Sequence, residues 1–358
     1  MVFYTWGEAG ASHKFDPGFG KQVTWDLPLL EGYPFTFVHN QSTVPGSHHR
    51  KGIINPTLIN DIKKWGADAV LVFGWNFVSH LAVMRYFYGK IPVLFRGDST
   101  LLDERIGWKK LFRRLYLKRI YRHIDIAFYT GTCNKLYFKV HGLKEAQLIY
   151  APHAVDNERF FEPQEKYQLQ ADAWREQLGF NQKDVVLLFA GKLEAKKNPF
   201  YLLDVLRQNT HPDLKLLFVG SGHLEKVLKK EAESDKRIVF IDFQNQLQMP
   251  VLYRVADLLV LPSIGPGETW GLVLNEAMAC GKAVAASILT GGAFDLIKEG
   301  KNGIIFNPND TLVISELLQQ ALNNKNCLTQ MGLQSKKIIH SFSFLQITIA
   351  ITQSINKL

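Results

Sequence analysis

The stretch on which the fold turns is Leu261-Pro-Ser-Ile-Gly-Pro-Gly-Glu-Thr-Trp-Gly-Leu-Val-Leu-Asn-Glu-Ala-Met-Ala-Cys-Gly281. An apolar strand ends at Pro262, a glycine- and proline-rich loop follows, and a helix begins near Trp270 or Gly271. Strand, glycine loop and helix form the unit from which helix-covered parallel sheets are built. Glycine lets a ligand come close to the backbone. The amides of Trp270, Gly271 and Leu272 at the helix start would point at that ligand, an anion site suited to a diphosphate. From Leu272 to Cys280 only Asn275 and Glu276 are polar, so this helix is buried on most sides. A buried carboxylate needs strong partners. A pair of ribose hydroxyls would satisfy Glu276; so would a backbone amide or a lysine, and the residues alone leave both readings open. Glu268 either faces the bound group beyond the phosphates or serves as an acid at the helix start.

Working outward, short apolar runs alternate with helical patterns along the whole chain, the signature of parallel sheets with helices on their faces. The expected strands of the first half are Val2–Trp6, Thr36–His39, Ala69–Phe73, Val93–Arg96, Ile126–Tyr129 and Leu148–Tyr150. Those of the second half are Val185–Ala190, Leu214–Val219, Ile238–Ile241, Leu258–Pro262, Ala283–Ala286 and Gly303–Phe306. The polar stretch Asp156–Gln182 between them reads as a linker, with a short helix over Ala171–Leu178 as an alternative for part of it, and Ser335–Leu358 reads as helical. The division expected is an N-terminal domain over 1–165, a C-terminal domain over 166–335, and a helix over 336–358 crossing back to the first domain. Two doubly wound α/β domains facing each other would enclose a ligand cleft.

Length and composition agree: 358 residues suit two domains, and 46% hydrophobic with 21% charged residues is ordinary globular composition. The formal net charge of +9 points to an anionic partner without choosing among nucleic acid, nucleotide phosphates and a membrane surface. Cys133, Cys280 and Cys327 match no zinc or haem spacing, and a reducing compartment is the simplest reading. No basic segment followed by an apolar run opens the chain, and no apolar run is long enough to span a bilayer. No Gly-x-Gly-x-x-Gly opens a first βαβ unit, which argues against a nicotinamide dehydrogenase. Nucleic-acid binding would rest on charge alone and is not expected.

The pattern Glu268…Glu276, set in Pro-Ser-x4-Glu-Thr-Trp-Gly-Leu-x3-Glu-Ala-Met-Ala-Cys-Gly, resembles the retaining GT-B glycosyltransferases of family GT4. The resemblance implies that Glu276 binds the donor ribose, that Glu268 contacts the donor sugar, and that the amides of Thr269, Trp270, Gly271 and Leu272 hold sugar and diphosphate. A second segment, Ala190-Gly-Lys-Leu-Glu-Ala-Lys-Lys-Asn198, resembles the family's Gly-Arg-Leu-x3-Lys-Gly loop. Gly191, Lys192 and Lys197 then fall on the pyrophosphate grip, with Lys192 where Arg is usual, so the bidentate fork is lost. On its own this loop would read as a solvated basic turn. Gly220-Ser-Gly222, Ile241-Asp-Phe-Gln-Asn245, Gly291-Gly292 and Asn302-Gly303 stand where relatives carry loops, and each glycine could equally be a plain turn.

The first half carries weaker signals. Leu94-Phe-Arg-Gly-Asp-Ser-Thr100 resembles a segment of some relatives; Asp98 would position an acceptor hydroxyl and Arg96 hold a phosphate, or the two would stabilise the turn. Ala151-Pro-His-Ala-Val-Asp-Asn-Glu-Arg-Phe160 resembles the family's hinge segment. Residues 108–123 form a basic, aromatic helix with Leu111, Leu115 and Ile120 along one side; that stripe is expected to dock on the sheet, while the cations suit an anionic membrane. Relatives usually begin with a further strand and loop before a segment like Val2–Trp6, so a truncated start is expected.

The resemblance therefore implies a retaining hexosyltransferase of the GT-B fold, with a nucleotide-diphosphate sugar as donor and a glycan or lipid-linked acceptor. No metal or cofactor is expected, since no Asp-x-Asp motif is present and Lys192, Lys197 and the helix start would offset leaving-group charge. The expected place of work is the cytoplasm, peripheral on the inner face of the membrane. The rival readings are a nucleotide-sugar epimerase of the same architecture and a non-catalytic nucleotide-sugar or membrane-binding module.

Overall fold

The structure, a computed structural model, describes residues 1–8, 14–104 and 107–358. The chain divides into two compact units: Met1–Phe15, Gln22–Pro152 and Ile347–Leu358 form the first, Asp16–Lys21 and His153–Gln346 the second.

The first unit carries β1 (Val2–Tyr4), all but the turn Asp16–Lys21 of a hairpin of β2 (Lys14–Asp16) and β3 (Lys21–Val23), β4 (Phe35–Phe37), α1 (Leu58–Trp65), β5 (Val70–Phe73), α2 (Val78–Phe87), β6 (Val93–Arg96), α3 (Trp108–Tyr121), β7 (Ile126–Tyr129), α4 (Thr132–Val140) and β8 (Leu148–Tyr150). Strands β5-β6-β7-β8 form one parallel sheet in chain order, and β1 pairs with β4, also in parallel, as a separate ribbon. All four residues of β6 are buried, as expected of a strand covered on both faces. The hairpin β2–β3 was not legible in the sequence, because three-residue strands carry no periodicity to read.

In the second unit α5 (Asn157–Phe161) and α6 (Gln164–Gln177) precede β9 (Val185–Ala190), α7 (Phe200–Gln208), β10 (Leu214–Val219), α8 (Glu225–Ala232), β11 (Ile238–Ile241), α9 (Met249–Val255), β12 (Leu258–Leu261), α10 (Leu272–Ala279), β13 (Ala283–Ser287), α11 (Ala293–Leu296), β14 (Gly303–Phe306), α12 (Leu312–Asn323) and α13 (Asn326–Ile339). The sheet runs β11-β10-β9-β12-β13-β14, every neighbouring pair parallel. The order reverses between β9 and β12, and in such sheets ligands bind outside the carboxyl ends of the strands at that point. Two apolar layers, one on each face of this sheet, form the core.

Three readings change. The stretch 156–182 is not a linker: it folds as α5 and α6, the latter longer than the short helix read over Ala171–Leu178, and Arg175 of α6 is buried, donating to the carbonyls of Val255, Asn181 and Asp184. Its polar composition misleads because an arginine can bury its stem and still satisfy its head on backbone oxygens. The units part after Pro152, earlier than the boundary at 165 read from composition.

The third change concerns α3. Leu117, Ile120 and Tyr121 are its buried residues, while Leu111 and Leu115 are exposed together with Trp108 and Phe112. The anticipated stripe therefore docks only through Ile120.

The last helix, α14 (Phe344–Ile355), follows a break after α13, and Ala350 and Ile351 pack with Leu94, Phe128 and Ala151 of the first unit. Among the described residues, Asn326–Ile355 is the single helical stretch long and apolar enough to cross a membrane by length and composition.

Candidate functional site

The loops after β9 and β12 flank the point where the strand order reverses, and they carry the residues singled out from sequence. Leaving β9, the chain passes Gly191 and Lys192 into a 3-10 turn at Ala195–Lys197. The neighbouring loop after β10 presses against it: Leu193 N–H donates to Ser221 O at 2.9 Å and Gly191 N–H to Val219 O at 2.9 Å. Gly220 makes this contact possible. Its φ is +139°, and a Cβ there would stand 1.9 Å from Gly191 O, so a side chain is excluded by contact as well as by conformation. Gly220-Ser-Gly222 is thus a close-packing device and not a plain turn.

Beyond β12, Ser263 and Glu268 meet Lys197. Glu268 Oε2 accepts a 2.8 Å hydrogen bond from Ser263 Oγ and pairs with the Lys197 ammonium. The backbone ties the same two loops, Ile264 N–H donating to Lys196 O at 2.9 Å. Gly271 caps α10 with φ +90°, and a Cβ added there would stand 2.7 Å from Leu261 Cδ2. Trp270 is buried and its indole N–H donates to Asn275 Oδ1 at 2.8 Å; Asn275 in turn donates to His153 O at 3.1 Å. These bonds account for the buried Asn275 and fix the loop on the helix. Leu272 at the helix start is exposed.

Glu276 is buried, as its position in an apolar helix demands. The Tyr253 hydroxyl of α9 donates to its Oε2 at 2.6 Å, and the side chain of Gln246 adds a second hydrogen bond. Arg159 of α5 holds Gln246 by two bonds, to its carbonyl at 2.6 Å and to its Oε1 at 2.8 Å. With the amide oxygen so engaged, the amide nitrogen of Gln246 is the group left to donate to Glu276. Burial pushes the Glu276 carboxyl above its ordinary range, opposed by Tyr253, the Arg159 charge and Gln246. Among the described residues its partners are these side chains, neither a backbone amide nor a lysine.

The second lysine has a partner the sequence did not suggest. Lys192 Nζ lies 2.9 and 3.0 Å from the two carboxylate oxygens of Asp16, and 5.0 Å from the centre of the Phe19 ring. Partial burial raises the Asp16 carboxyl, but Lys192 and the amides of Phe19 and Gly18 outweigh that and hold it below the ordinary range. Asp16–Lys21 is further tied by Ser221 Oγ to Phe19 O at 3.0 Å and by Lys21 to Asp242 at 2.6 Å. A contact between residues 176 positions apart leaves no local trace. Tyr253 left one: a tyrosine in a wholly buried helix must find a partner for its hydroxyl.

Arg96 and Asp98 lie in the first unit. Each terminal nitrogen of Arg96 donates to backbone, to Ala151 O and Pro152 O at 2.9 Å each, and Asp98 acts on it by charge. Arg96 therefore secures the turn after β8. A cavity of about 620 Å³ lined by Tyr201, Arg207, Ile264 and Asp310, among others, includes none of Lys192, Lys197, Glu268 or Glu276.

Residues 170–338 match the family described as glycosyl transferases group 1. This stretch belongs to that family. It contains Gly191, Lys192, Lys197, Glu268 and Glu276, and thus every donor-side residue named from sequence. The chain is 28% identical over 240 residues to a GDP-mannose-dependent monoacylated alpha-(1-6)-phosphatidylinositol monomannoside mannosyltransferase of Corynebacterium glutamicum, covering 64% of this chain and 61% of that protein. It is 29% identical over 181 residues to the D-inositol 3-phosphate glycosyltransferase of Corynebacterium efficiens, covering 48% of this chain and 42% of that protein. The matches thus span about half the length of these relatives. The crystal structure of Anabaena HepE in complex with UDP superimposes with a TM-score of 0.72 at 19% identity, over 91% of this chain and 86% of that one. The fold is GT-B, two Rossmann-like α/β units with parallel sheets.

Proposed function

We propose that this group 1 glycosyltransferase transfers a hexosyl group from a nucleotide-diphosphate sugar to a glycan or lipid-linked acceptor, with retention at the anomeric carbon and without a metal. The observation that carries the reading is the pairing of Lys197 with Glu268 between the loops that leave β9 and β12 at the reversal of strand order, ahead of the helix that buries the Glu276 carboxylate. A pair of ribose hydroxyls donates to Glu276. The diphosphate lies at the start of α10, where helix dipole and first-turn amides favour anions, and the two ammonium groups offset the charge that develops on it. Gly191 and Thr269–Leu272 line the backbone around it, and Glu268 contacts the sugar.

In the reaction the acceptor oxygen bonds to the anomeric carbon as the bond from that carbon to the phosphate oxygen breaks. The acceptor proton passes to an oxygen of the departing diphosphate, so the attack comes from the leaving-group face. Asp98 positions the acceptor hydroxyl. The relatives' names include one lipid acceptor, a phosphatidylinositol mannoside, and helix α3 fits a lipid surface. Trp108, Leu111, Phe112 and Leu115 are exposed among Lys109, Arg113, Lys118, Arg119 and Arg122, the pairing that binds anionic bilayers. The working location is then the cytoplasmic face of the cell membrane.

The test is thermal stability with UDP, GDP, ADP and CDP, with and without EDTA, for wild type and Glu276→Ala. A native-state ligand raises the melting temperature by mass action. One nucleotide should stabilise the wild type regardless of EDTA and leave the variant unmoved. A response that requires a divalent ion would overturn the metal-free reading, and none with any nucleotide would overturn the donor site. Turnover of the donor sugar to an epimer without acceptor would replace transfer by epimerisation.

A further inference from the structure

The turn Asp16-Pro-Gly-Phe-Gly-Lys21 groups with the second unit, although the chain on either side of it groups with the first. Contacts with the loops that leave three neighbouring strands, β9, β10 and β11, hold it there. Asp16 pairs with Lys192 after β9. Phe19 O accepts a 3.0 Å hydrogen bond from Ser221 Oγ after β10. After β11, Asp242 Oδ1 lies 2.6 Å from Lys21 Nζ, and the Phe243 ring stands edge-on to Phe19 with centroids 4.7 Å apart. Gly18 lies so close to Lys192 that a Cβ there would stand 2.5 Å from its Cδ. Ligands of such sheets bind outside these same carboxyl ends.

Two groups of the turn stand where a nucleoside diphosphate would place its own. Lys192, assigned to the diphosphate, holds the Asp16 carboxylate. A base whose ribose sits on Glu276 borders the loop after β11, because Gln246 of that loop bonds to Glu276. On the same loop Phe243 holds the Phe19 ring. Carboxylate and ring also engage one lysine together, since the Lys192 ammonium is 5.0 Å from the centre of that ring. An anion and a planar ring on these partners are what a nucleotide would offer.

The turn is built to come off. None of residues 16–21 belongs to the apolar layers of the second unit's sheet, and partly exposed ion pairs and a single ring contact are each weak. It is not suited to stay in place over a bound donor, because the Asp16 carboxylate would then stand beside the diphosphate and repel it.

We propose that Asp16–Lys21 is an autoinhibitory strap, a mimic of the donor's diphosphate and base carried by the chain itself, which the donor displaces on binding. The inference rests on the donor-site reading above. The apparent affinity for the donor is then the intrinsic affinity reduced by the fraction of molecules with the strap lifted.

Two measurements on the full chain test it, each with UDP, GDP, ADP and CDP: calorimetric titration, and the rate at which trypsin cuts after Lys21. Asp16→Asn combined with Phe19→Ala should bind the preferred nucleotide about tenfold more tightly than wild type. Lys21→Ala, which loosens the turn at its other end, should shift affinity in the same direction. Wild type should be cut after Lys21 faster when that nucleotide is present. Weaker binding by the variants, or slower cutting with nucleotide, would make the turn a part of the donor site and overturns the proposal. Equal affinity, or a cutting rate that nucleotide leaves unchanged, overturns it too, with the donor site left standing. Binding of no nucleotide by wild type or variants overturns the donor site, and the strap with it.

Discussion

The Tyr253 hydroxyl stands 2.6 Å from Oε2 of Glu276, both side chains buried, one on α9 and the other on α10. A hydrogen bond to a charged group contributes about 1.5–3 kcal/mol, and leaving a buried carboxylate short of a donor is costly. Tyr253→Phe should lower the melting temperature. It should also weaken binding of the preferred nucleoside diphosphate about tenfold, with much less effect on its 2′,3′-dideoxy analogue. Calorimetric titration of the two ligands checks this; an equal loss for both would show that Tyr253 does not act through ribose recognition.

Glu276 itself is expected to cost stability. Burial raises its carboxyl above the ordinary 4.5, against the pull of Tyr253, Arg159 and Gln246. Between 4.5 and the raised value the native chain holds a proton that the unfolded chain has lost. Stability therefore falls as pH rises through that window and stays reduced above it. Glu276→Gln should melt a few degrees higher than wild type at neutral pH, the difference shrinking on acidification, while the nucleotide response disappears. Melting curves across pH, with and without nucleotide, decide it.

Asp16 occupies Lys192, a group assigned to the donor diphosphate. Because the pair is partly exposed, at 30% and 25% for the two side chains, the competition amounts to about 0.2–1 kcal/mol. Asp16→Asn should tighten nucleoside diphosphate binding about two- to fivefold, the gain fading at high salt. Weaker binding would mean that Asp16 positions Lys192 instead of competing for it.

Lys197 pairs with Glu268 and is assigned the leaving-group charge. Lys197→Ala should lower kcat on the order of 10²-fold, the scale of losing one preorganised electrostatic group. Lys197→Arg should retain more. Steady-state transfer kinetics measure both, and a change confined to KM would remove Lys197 from the transition state.

On α3, Leu111→Glu with Phe112→Glu adds charge to two exposed positions that make no core contact, so the fold should be unaffected. Co-sedimentation with vesicles rich in phosphatidylserine should fall at least tenfold, each buried apolar side chain being worth about 1.5–3 kcal/mol. Transfer to a soluble acceptor should be unchanged.

How much of this was legible varies by residue. The buried strand Val185–Ala190 could be read directly, because residues covered on both faces are apolar without interruption, and the helix 272–279 was readable because only Asn275 and Glu276 break its apolar run. Lys197 and Glu268 were named separately, but that they form one ion pair was not legible across 71 positions. Stripe reading misled at α3, where Leu111 and Leu115 have the spacing of a docked face yet stand in solvent; periodicity shows that a helix has an apolar side, not what covers it.

The sequence by itself determined the alternation of strands and helices, the glycine loop ahead of α10, and the presence of a carboxylate inside an apolar helix. These follow from local rules: periodicity, backbone freedom at glycine, and the cost of burying charge. Only the tertiary structure decided which groups satisfy that carboxylate, that Asp16 meets Lys192, and that Arg96 donates to the carbonyls of Ala151 and Pro152. Those are pairings between distant segments, and hydrogen bonds and ion pairs act over a few ångströms of space whatever the separation along the chain.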